Sequence, residues 1–374
     1  MENVFTSNIK AILKRHFGDS SDDVFEKSLL IQYINEKTRS ANRGSKSRSS
    51  FANLYAIYVI IEDYLVNAYD QLGDYSKYEG ALFSKLFARQ RELPFGNKLQ
   101  NHALNNRMNS EFEKFFPKSG LVPIIRDHES NRYWINENLL RVKVGNVDFN
   151  IGSTIIEIID EYVKTKQDSF QRFVKTCEEL QDIGKTAPST IEEFVLGLLA
   201  PSVDARLFEI VSYSILRYFY HDKEIYWGYE VDKLNKEQLV LYKTGRTNAN
   251  DGGIDFVMKP LGRLFQVTET LDFKKYFLDI DKLQKYPITF VVKSNEPTNE
   301  LIQKIRENAM KAYPINTIVE RYMACIEEVI NIPVLADCFK YAINKGYLDR
   351  ILHEIIIQSK VEFNYDEAVD TEDV

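Results

Sequence analysis

The stretch "NANDGGIDFVMKPLGRLFQVTET" (248–270) contains two short apolar runs separated by Lys259-Pro260-Leu261-Gly262. Proline at the second position and glycine at the fourth are typical of a β-turn. The stretch therefore predicts a hairpin whose strands are "GGIDFVMK" and "RLFQVTE". Asp255 opens the first strand after two glycines, which allow a sharp backbone turn and the close approach of a ligand.

The segments on either side of this hairpin predict a mixed α/β region. Before it, residues 204–222 have helical apolar spacing, and "EIYWGYEV" (224–231) and "EQLVLYKTG" (237–245) are rich in β-forming residues. After it, residues 271–286 predict a helix, and the nearly all-apolar "PITFVVKS" (287–294) predicts a strand inside a covered sheet. The order is helix, the β-rich runs, the two strands of the hairpin, helix and strand.

The remaining segments are predicted to be mostly helical. Residues 1–120 and 153–183 have helical spacing, residues 130–152 predict a hairpin with a Gly-Asn turn, and helices are expected over 297–360. We predict the domains as a mainly helical region at 1–190, an α/β region with C-terminal helices at 191–360, and a disordered acidic tail at 361–374.

Charge and cysteine content place few limits on function. Removing the six acidic residues of the tail brings the net charge from −7 to −1, so the overall charge does not exclude a nucleic-acid partner. The three cysteines show neither zinc-binding spacing nor a disulfide framework, which fits a reducing cytoplasm. The longest apolar run, at 54–61, is too short to cross a bilayer, and we expect no membrane partner.

Two polar segments of the N-terminal half are candidates for DNA contact. The first is a predicted flexible basic loop within "KTRSANRGSKSRSS" (37–50), and its alternative is a solvated linker. Its five bases are Lys37, Arg39, Arg43, Lys46 and Arg48. The second, at 89–110, is dense in side chains that read base edges, although polar loops also occur without a ligand. Its candidates are Asn101, His102, Asn105 and Arg107.

Alternation along the second strand of the central hairpin places Gln266 and Thr268 on one face and Glu269 on the other. On the preceding helix, Glu209 lies at the edge of the apolar stripe, from where a carboxylate could face the sheet. Asp255 begins the neighbouring strand, after the two glycines.

At this point residues 205–295 resemble the PD-(D/E)XK nuclease superfamily, and type II restriction endonucleases in particular. The resemblance implies an αβββαβ core with a mixed sheet, a catalytic aspartate on the second core strand, and an acid or glutamine followed by lysine at i, i+2 on the third. It implies that Asp255, Gln266 and Glu209 bind Mg²⁺. Thr268 stands where the resemblance expects lysine. Either a lysine has moved, with Lys274 and Lys275 first and Lys293 second, or the register uses Glu269, or the site is inactive.

The resemblance implies Mg²⁺-dependent, site-specific hydrolysis of double-stranded DNA by a cytoplasmic homodimer, with a cognate DNA methyltransferase in the host. The alternative is a protein with a nuclease-like fold that binds DNA without cleaving it. An unrelated α/β enzyme is a weaker third interpretation, because the chain has no Walker A, GxGxxG, HExxH or GxSxG motif.

Overall fold

The structure of the chain is a computed structural model, and it describes residues 4–39, 47–67, 75–97, 99–183, 188–244, 254–269, 271–313 and 315–363. It divides into two compact units, residues 1–171 and residues 172–374. The division falls inside one long helix, and not at the predicted position 190/191. The reason is that Cys177 and Leu180, on the last part of that helix, belong to the core of unit 2.

Unit 1 is mainly helical, as the sequence predicts. In chain order its elements are α1 (Thr6–Phe17), α2 (Ser21–Lys27), α3 (Leu29–Thr38), α4 (Ser47–Val66), β1 (Ala81–Leu82), α5 (Phe83–Glu92), a π-helical turn (Ala103–Arg107), α6 (Met108–Phe115), β2 (Ile124–Asp127), β3 (Arg132–Ile135), α7 (Glu137–Leu140), β4 (Arg141–Val144), β5 (Val147–Asn150) and the first part of α8 (Gly152–Ile183). Helix α4 forms the centre of its core, because residues 51–61 are buried without interruption.

Two small sheets complete unit 1. Strands β1, β3 and β2 form one, and β4 and β5 form the other. The sequence predicts one hairpin over 130–152, whereas the structure has two hairpins. The β4–β5 hairpin turns at the predicted Gly-Asn pair, Gly145-Asn146. Strand β3 pairs instead with β2, which lies before the predicted hairpin.

Unit 2 contains, after the last part of α8, the elements α9 (Pro188–Gly197), α10 (Ala205–Tyr220), β6 (Glu224–Trp227), β7 (Asn235–Gln238), β8 (Val240–Lys243), β9 (Phe256–Lys259), β10 (Arg263–Thr268), α11 (Phe273–Lys282), β11 (Ile288–Val292), α12 (Thr298–Ala312), α13 (Asn316–Met323), β12 (Ile326–Ile330), α14 (Ile332–Asn344) and α15 (Leu348–Phe363). The mixed α/β class is confirmed. None of the helices in the described ranges combines the length and the apolar character that a bilayer crossing needs.

A five-stranded mixed sheet with the order β12-β11-β10-β9-β8 forms the middle of unit 2. Strands β8, β9 and β10 are antiparallel neighbours, and β11 is parallel to both β10 and β12. The predicted hairpin is confirmed as β9 and β10. Its turn is closed by a bond from Gly262 N–H to the Met258 carbonyl (2.8 Å), one residue wider than the predicted β-turn.

Strand β12 is a correction to the prediction of helices over 297–360. Its sequence, "IEEVI", contains two acidic residues, and these remain exposed at the sheet edge. Arg263 of β10 pairs with Glu327 at 3.4 Å and also contacts Glu328. A five-residue edge strand that is held by ion pairs has little apolar periodicity. Its residues were therefore included in the helical region predicted on both sides of it.

The two faces of this sheet are covered by different helices. Helix α10 covers one face with Phe208, Val211 and Ile215 in the same core as Phe256 and Phe265. The other face carries the side chains of β11 that pack with α11 and α12; they are Ile288, Phe290 and Val292. Every residue of β11 is buried, as predicted for a strand inside a covered sheet.

The C-terminal helix extends further than predicted. Residues 361–363 belong to α15, and Glu362 is buried, so the helix includes the first residues of the predicted acidic tail. Residues 364–374 lie outside the described residues.

Candidate active site

Antiparallel and parallel pairing bring four strand ends together at one end of the sheet. The carboxyl ends of β8, β10 and β11 lie beside the amino end of β9. Asp204 begins α10 by accepting a hydrogen bond from Arg206 N–H at 2.7 Å. Glu209, in the second turn of this helix, forms an ion pair with the last residue of β8, so the helix start also lies at this end.

Asp255 is anchored on both sides at the start of β9. Its backbone N–H donates to the Phe265 carbonyl at 2.9 Å, and its carbonyl accepts from Thr244 N–H at 3.0 Å. Its carboxylate Oδ2 accepts from the Val267 backbone N–H at 2.7 Å. Asp255 therefore bonds to the two chain neighbours of Gln266, and the carboxylate is held beside the third predicted core strand.

Gln266 is buried at 7% exposure on β10. Its Nε2 donates to the Val267 carbonyl at 3.1 Å, while its Oε1 is buried without a hydrogen-bond partner among the described residues. A buried amide oxygen without a partner has a substantial desolvation cost, which a ligand at this position would offset. Gln266 and Asp255 are thus adjacent, as the sequence predicts.

Thr268 is also buried, and its Oγ1 accepts a hydrogen bond from Lys275 Nζ at 3.3 Å. Lys275 lies in the first turn of α11, which Asp272 caps by accepting from Lys274 N–H at 3.1 Å. The structure therefore brings one of the two first-choice lysines to the third strand. Lys274 is exposed to solvent.

Glu269 and Lys293 form an ion pair at the ends of β10 and β11. The distance from Lys293 Nζ to Glu269 Oε1 is 2.6 Å, and the lysine side chain is 3% exposed. Lys293 Nζ also donates to the Val203 carbonyl, just before α10. The second-choice lysine is thus held by two acceptors, and Glu269 is its counter-ion.

Glu209 is buried, and it pairs with a lysine that the sequence analysis did not select. Its Oε1 lies 3.0 Å from Nζ of Lys243, the last residue of β8, and the two side chains are 8% and 11% exposed. Tyr213, one helical turn further along α10, donates to the Leu241 carbonyl at 3.3 Å, and burial raises the pKa of its phenol. Lys243 could have been found as the cation that ends the apolar alternation "LVLYK".

The donor set is small within the described residues. They contain no group of three or more His, Cys, Asp or Glu side chains that could hold a metal. Asp251, Gly252 and Gly253, which precede Asp255 in the sequence, lie outside the described residues. The oxygen donors at the sheet end are Asp255 and Gln266, with Glu209 and Glu269 each paired to a lysine.

Helices occupy both ends of the segment that was predicted to be a basic loop. Lys37 lies within α3, and its Nζ pairs with Glu111 Oε1 at 2.6 Å at only 8% exposure, so this lysine already has a counter-ion. Arg39 follows α3 and is exposed beside Glu36. Arg48 lies within α4, so helices form both ends of the predicted loop. Arg43 and Lys46 fall outside the described residues.

The predicted base-reading residues lie on and beside the π-helical turn. His102 is exposed, Asn101 is half-buried, and Asn105 Oδ1 accepts from the Tyr133 hydroxyl at 3.3 Å. Arg107 is exposed and lines an open surface cavity of about 550 Å³. Its other lining residues are Ser110, Glu111, Lys114 and Phe115.

The chain matches no family model, and comparisons with curated proteins and with solved structures found no significant match.

Proposed function

We propose that this chain is a Mg²⁺-dependent endonuclease of the PD-(D/E)XK type that hydrolyses phosphodiester bonds in double-stranded DNA, with the site specificity of a type II restriction enzyme. One observation carries the proposal. Asp255, anchored at the head of β9, lies beside Gln266, whose buried Oε1 lacks a partner among the described residues. In this proposal α10, β8, β9, β10, α11 and β11 are the αβββαβ core.

The residues at the sheet end fit Mg²⁺. Magnesium commonly takes one or two carboxylates from a protein and completes its shell with waters and substrate phosphate oxygens. Asp255 and Gln266 would hold it. Glu209 would remain the counter-ion of Lys243 on the face of the sheet that α10 covers, opposite to the face of Gln266. When bound, the metal polarises the scissile phosphate and lowers the pKa of a bound water. The residues of the chain would fix the position of the metal and would place lysine side chains near it.

A non-cleaving DNA-binding protein is the second candidate function. It is favoured by Thr268 at the lysine position and by the two lysine–glutamate pairs, which already neutralise Glu209 and Glu269. In this alternative the pairs are structural, and the protein binds DNA without a metal.

Incubation of the protein with plasmid and phage DNA, with Mg²⁺ or with a chelator, separates these functions. Discrete fragments that form only with Mg²⁺ support the site-specific nuclease. A band shift without fragments supports the non-cleaving alternative. A restriction enzyme would also require a homodimer at palindromic sites, a cytoplasmic location, and a cognate DNA methyltransferase in the host.

A further inference from the structure

We infer that Lys243, on the strand next to Asp255, supplies the positive charge that the proposed hydrolysis needs and that Thr268 cannot carry. The inference rests on the proposed function and deepens it. In this proposal the cation comes from β8. The resemblance expects it on β10, which is the neighbour of β9 on the other side.

Backbone pairing fixes Lys243 close to Asp255. Lys243 is paired with Phe256 in the antiparallel register of β8 and β9. The next residue, Thr244, donates its N–H to the Asp255 carbonyl at 3.0 Å. Lys243 is therefore one residue away from the direct backbone partner of Asp255, and its side chain leaves the strand on the face of Phe256, which α10 covers.

The ion pair holds the Lys243 ammonium at the site end of the sheet. Lys243 Nζ and Glu209 Oε1 are 3.0 Å apart, with both side chains about nine-tenths buried. A buried ion pair is a poor source of stability, because removing two charges from water costs about as much as their attraction returns. Its presence here is better explained by a function that needs a charge at this position.

The other lysines are less suitable. Lys293 directly follows β11, which is separated from β9 by β10, and its ammonium is held by Glu269 and the Val203 carbonyl. Lys275 reaches the site only through Thr268 Oγ1 at 3.3 Å, and Lys274 is exposed. Lys243 is the candidate whose strand pairs directly with that of Asp255.

The proposed step is a hydrolysis that needs only water. The water oxygen forms a bond to phosphorus, one ester P–O bond breaks, and the leaving oxygen takes a proton that the attacking water gives up through the solvent. Negative charge increases on the non-bridging phosphate oxygens during the attack. The Lys243 ammonium would face these oxygens as a preorganised cation, in a site from which water is largely excluded.

The test compares single-turnover cleavage at saturating Mg²⁺ by the wild type, Lys243→Gln, Lys243→Arg and Lys236→Gln. Glutamine removes the charge but keeps an N–H donor for Glu209. Lys236 is the matched control, because it pairs with Glu224 at 2.6 Å on the exposed antiparallel strands β6 and β7.

We expect Lys243→Gln to lower the plateau rate of cleavage by about 10²–10³, as for the loss of one preorganised donor. Its DNA affinity, measured with a chelator, should stay within roughly threefold, because one phosphate contact is a small part of the total.

The wild type tests the proposed function, and the variants test the role of Lys243. If Lys243→Gln is folded by circular dichroism and cuts at the wild-type rate, the inference is overturned and the proposed function stands. If the wild type cuts no DNA with Mg²⁺, the proposed function fails first. Lys243→Arg keeps the charge in a different geometry and should cut within roughly tenfold of the wild type; a loss as large as that expected for Lys243→Gln would overturn the inference. Should Lys243→Gln not fold, Lys243→Met decides, because it removes the charge but keeps an unbranched side chain. It should cut at least roughly 10²-fold more slowly, and a wild-type rate would overturn the inference.

Discussion

The Asp255 carboxylate accepts a hydrogen bond from the Val267 backbone N–H at 2.7 Å. This bond takes the place of a strand-to-strand contact where β9 begins, and it fixes the carboxylate beside β10. A hydrogen bond to a charged acceptor contributes about 1.5–3 kcal/mol. The same bond that stabilises the strand end therefore also orients the proposed metal ligand.

Substitution of Gln266 tests whether this side chain acts as a metal ligand or only as part of the packed interior. Gln266→Leu removes an amide whose Oε1 is buried without a partner among the described residues, so the free energy of unfolding should change by less than about 1 kcal/mol. Cleavage should fall at least tenfold, because a metal oxygen ligand is lost. Gln90 is a matched control in unit 1, fully buried and with its Oε1 also lacking a partner among the described residues. Gln90→Leu should cut normally, and equal loss in both variants would exclude a ligand role for Gln266.

Substitutions of the lysines proposed from the sequence should have different effects, according to whether the lysine is exposed or buried. Lys274→Ala should change neither the cleavage rate nor the stability, because this side chain is exposed. Lys293→Ala should destabilise the protein by only about 1–2 kcal/mol, because it removes the hydrogen bonds of a buried ammonium, while Glu269, a third exposed, regains contact with water. Urea unfolding and single-turnover cleavage of both variants measure these effects. A stable Lys293→Ala variant that has lost cleavage would instead make Lys293 the cation of the site.

The basic segment should contact DNA phosphates through Arg43, Lys46 and Arg48. Replacing these three by glutamine should weaken binding at all DNA sequences and reduce the slope of log K against log salt by about one unit for each lost contact. Lys311, exposed at the end of α12, serves as the control position. An unchanged slope in the triple variant would show that the segment is only a linker.

Palindromic recognition requires two copies of the chain. Sedimentation equilibrium should give about twice the chain mass of 43.6 kDa, either alone or with DNA, because cutting both strands symmetrically needs two sites. A single chain mass in both conditions would contradict the homodimer and would favour an enzyme that cuts one strand at a time.

The sequence predicted those elements whose periodicity and turn chemistry agree. The β9–β10 hairpin followed from Pro260 and Gly262, and β11 from its continuous apolar run. Strand β12 was missed, because two exposed glutamates interrupt its apolar pattern at a sheet edge. The predicted boundary at 190/191 differs from the division at 171/172, because the continuous 32-residue α8 contains no local signal where one core ends and the next begins.

For the candidate site, the glycine pair and strand alternation placed Asp255, Gln266 and Thr268 on neighbouring strands, and the family resemblance supplied their proposed roles. The partners of Glu209 and Glu269 depend on strand register and on where the start of α10 lies, which local spacing does not specify. The role proposed for Lys243 therefore depends on the β8–β9 pairing and on its contact with Glu209, which the alternation of "LVLYK" alone does not give.

The proposed function depends above all on Asp255 as a ligand of the metal that cleaves DNA, and the variant Asp255→Asn probes this role. Asparagine keeps an oxygen acceptor for the Val267 N–H, so the fold should be retained, while the metal-binding charge is lost. Both proteins are incubated with the same DNA and Mg²⁺ in single-turnover assays, and DNA affinity is measured with a chelator. We predict discrete fragments from the wild type, none from Asp255→Asn, and affinities within about tenfold of each other, because phosphate binding comes mainly from basic side chains. Cleavage by Asp255→Asn at the wild-type rate would contradict this role.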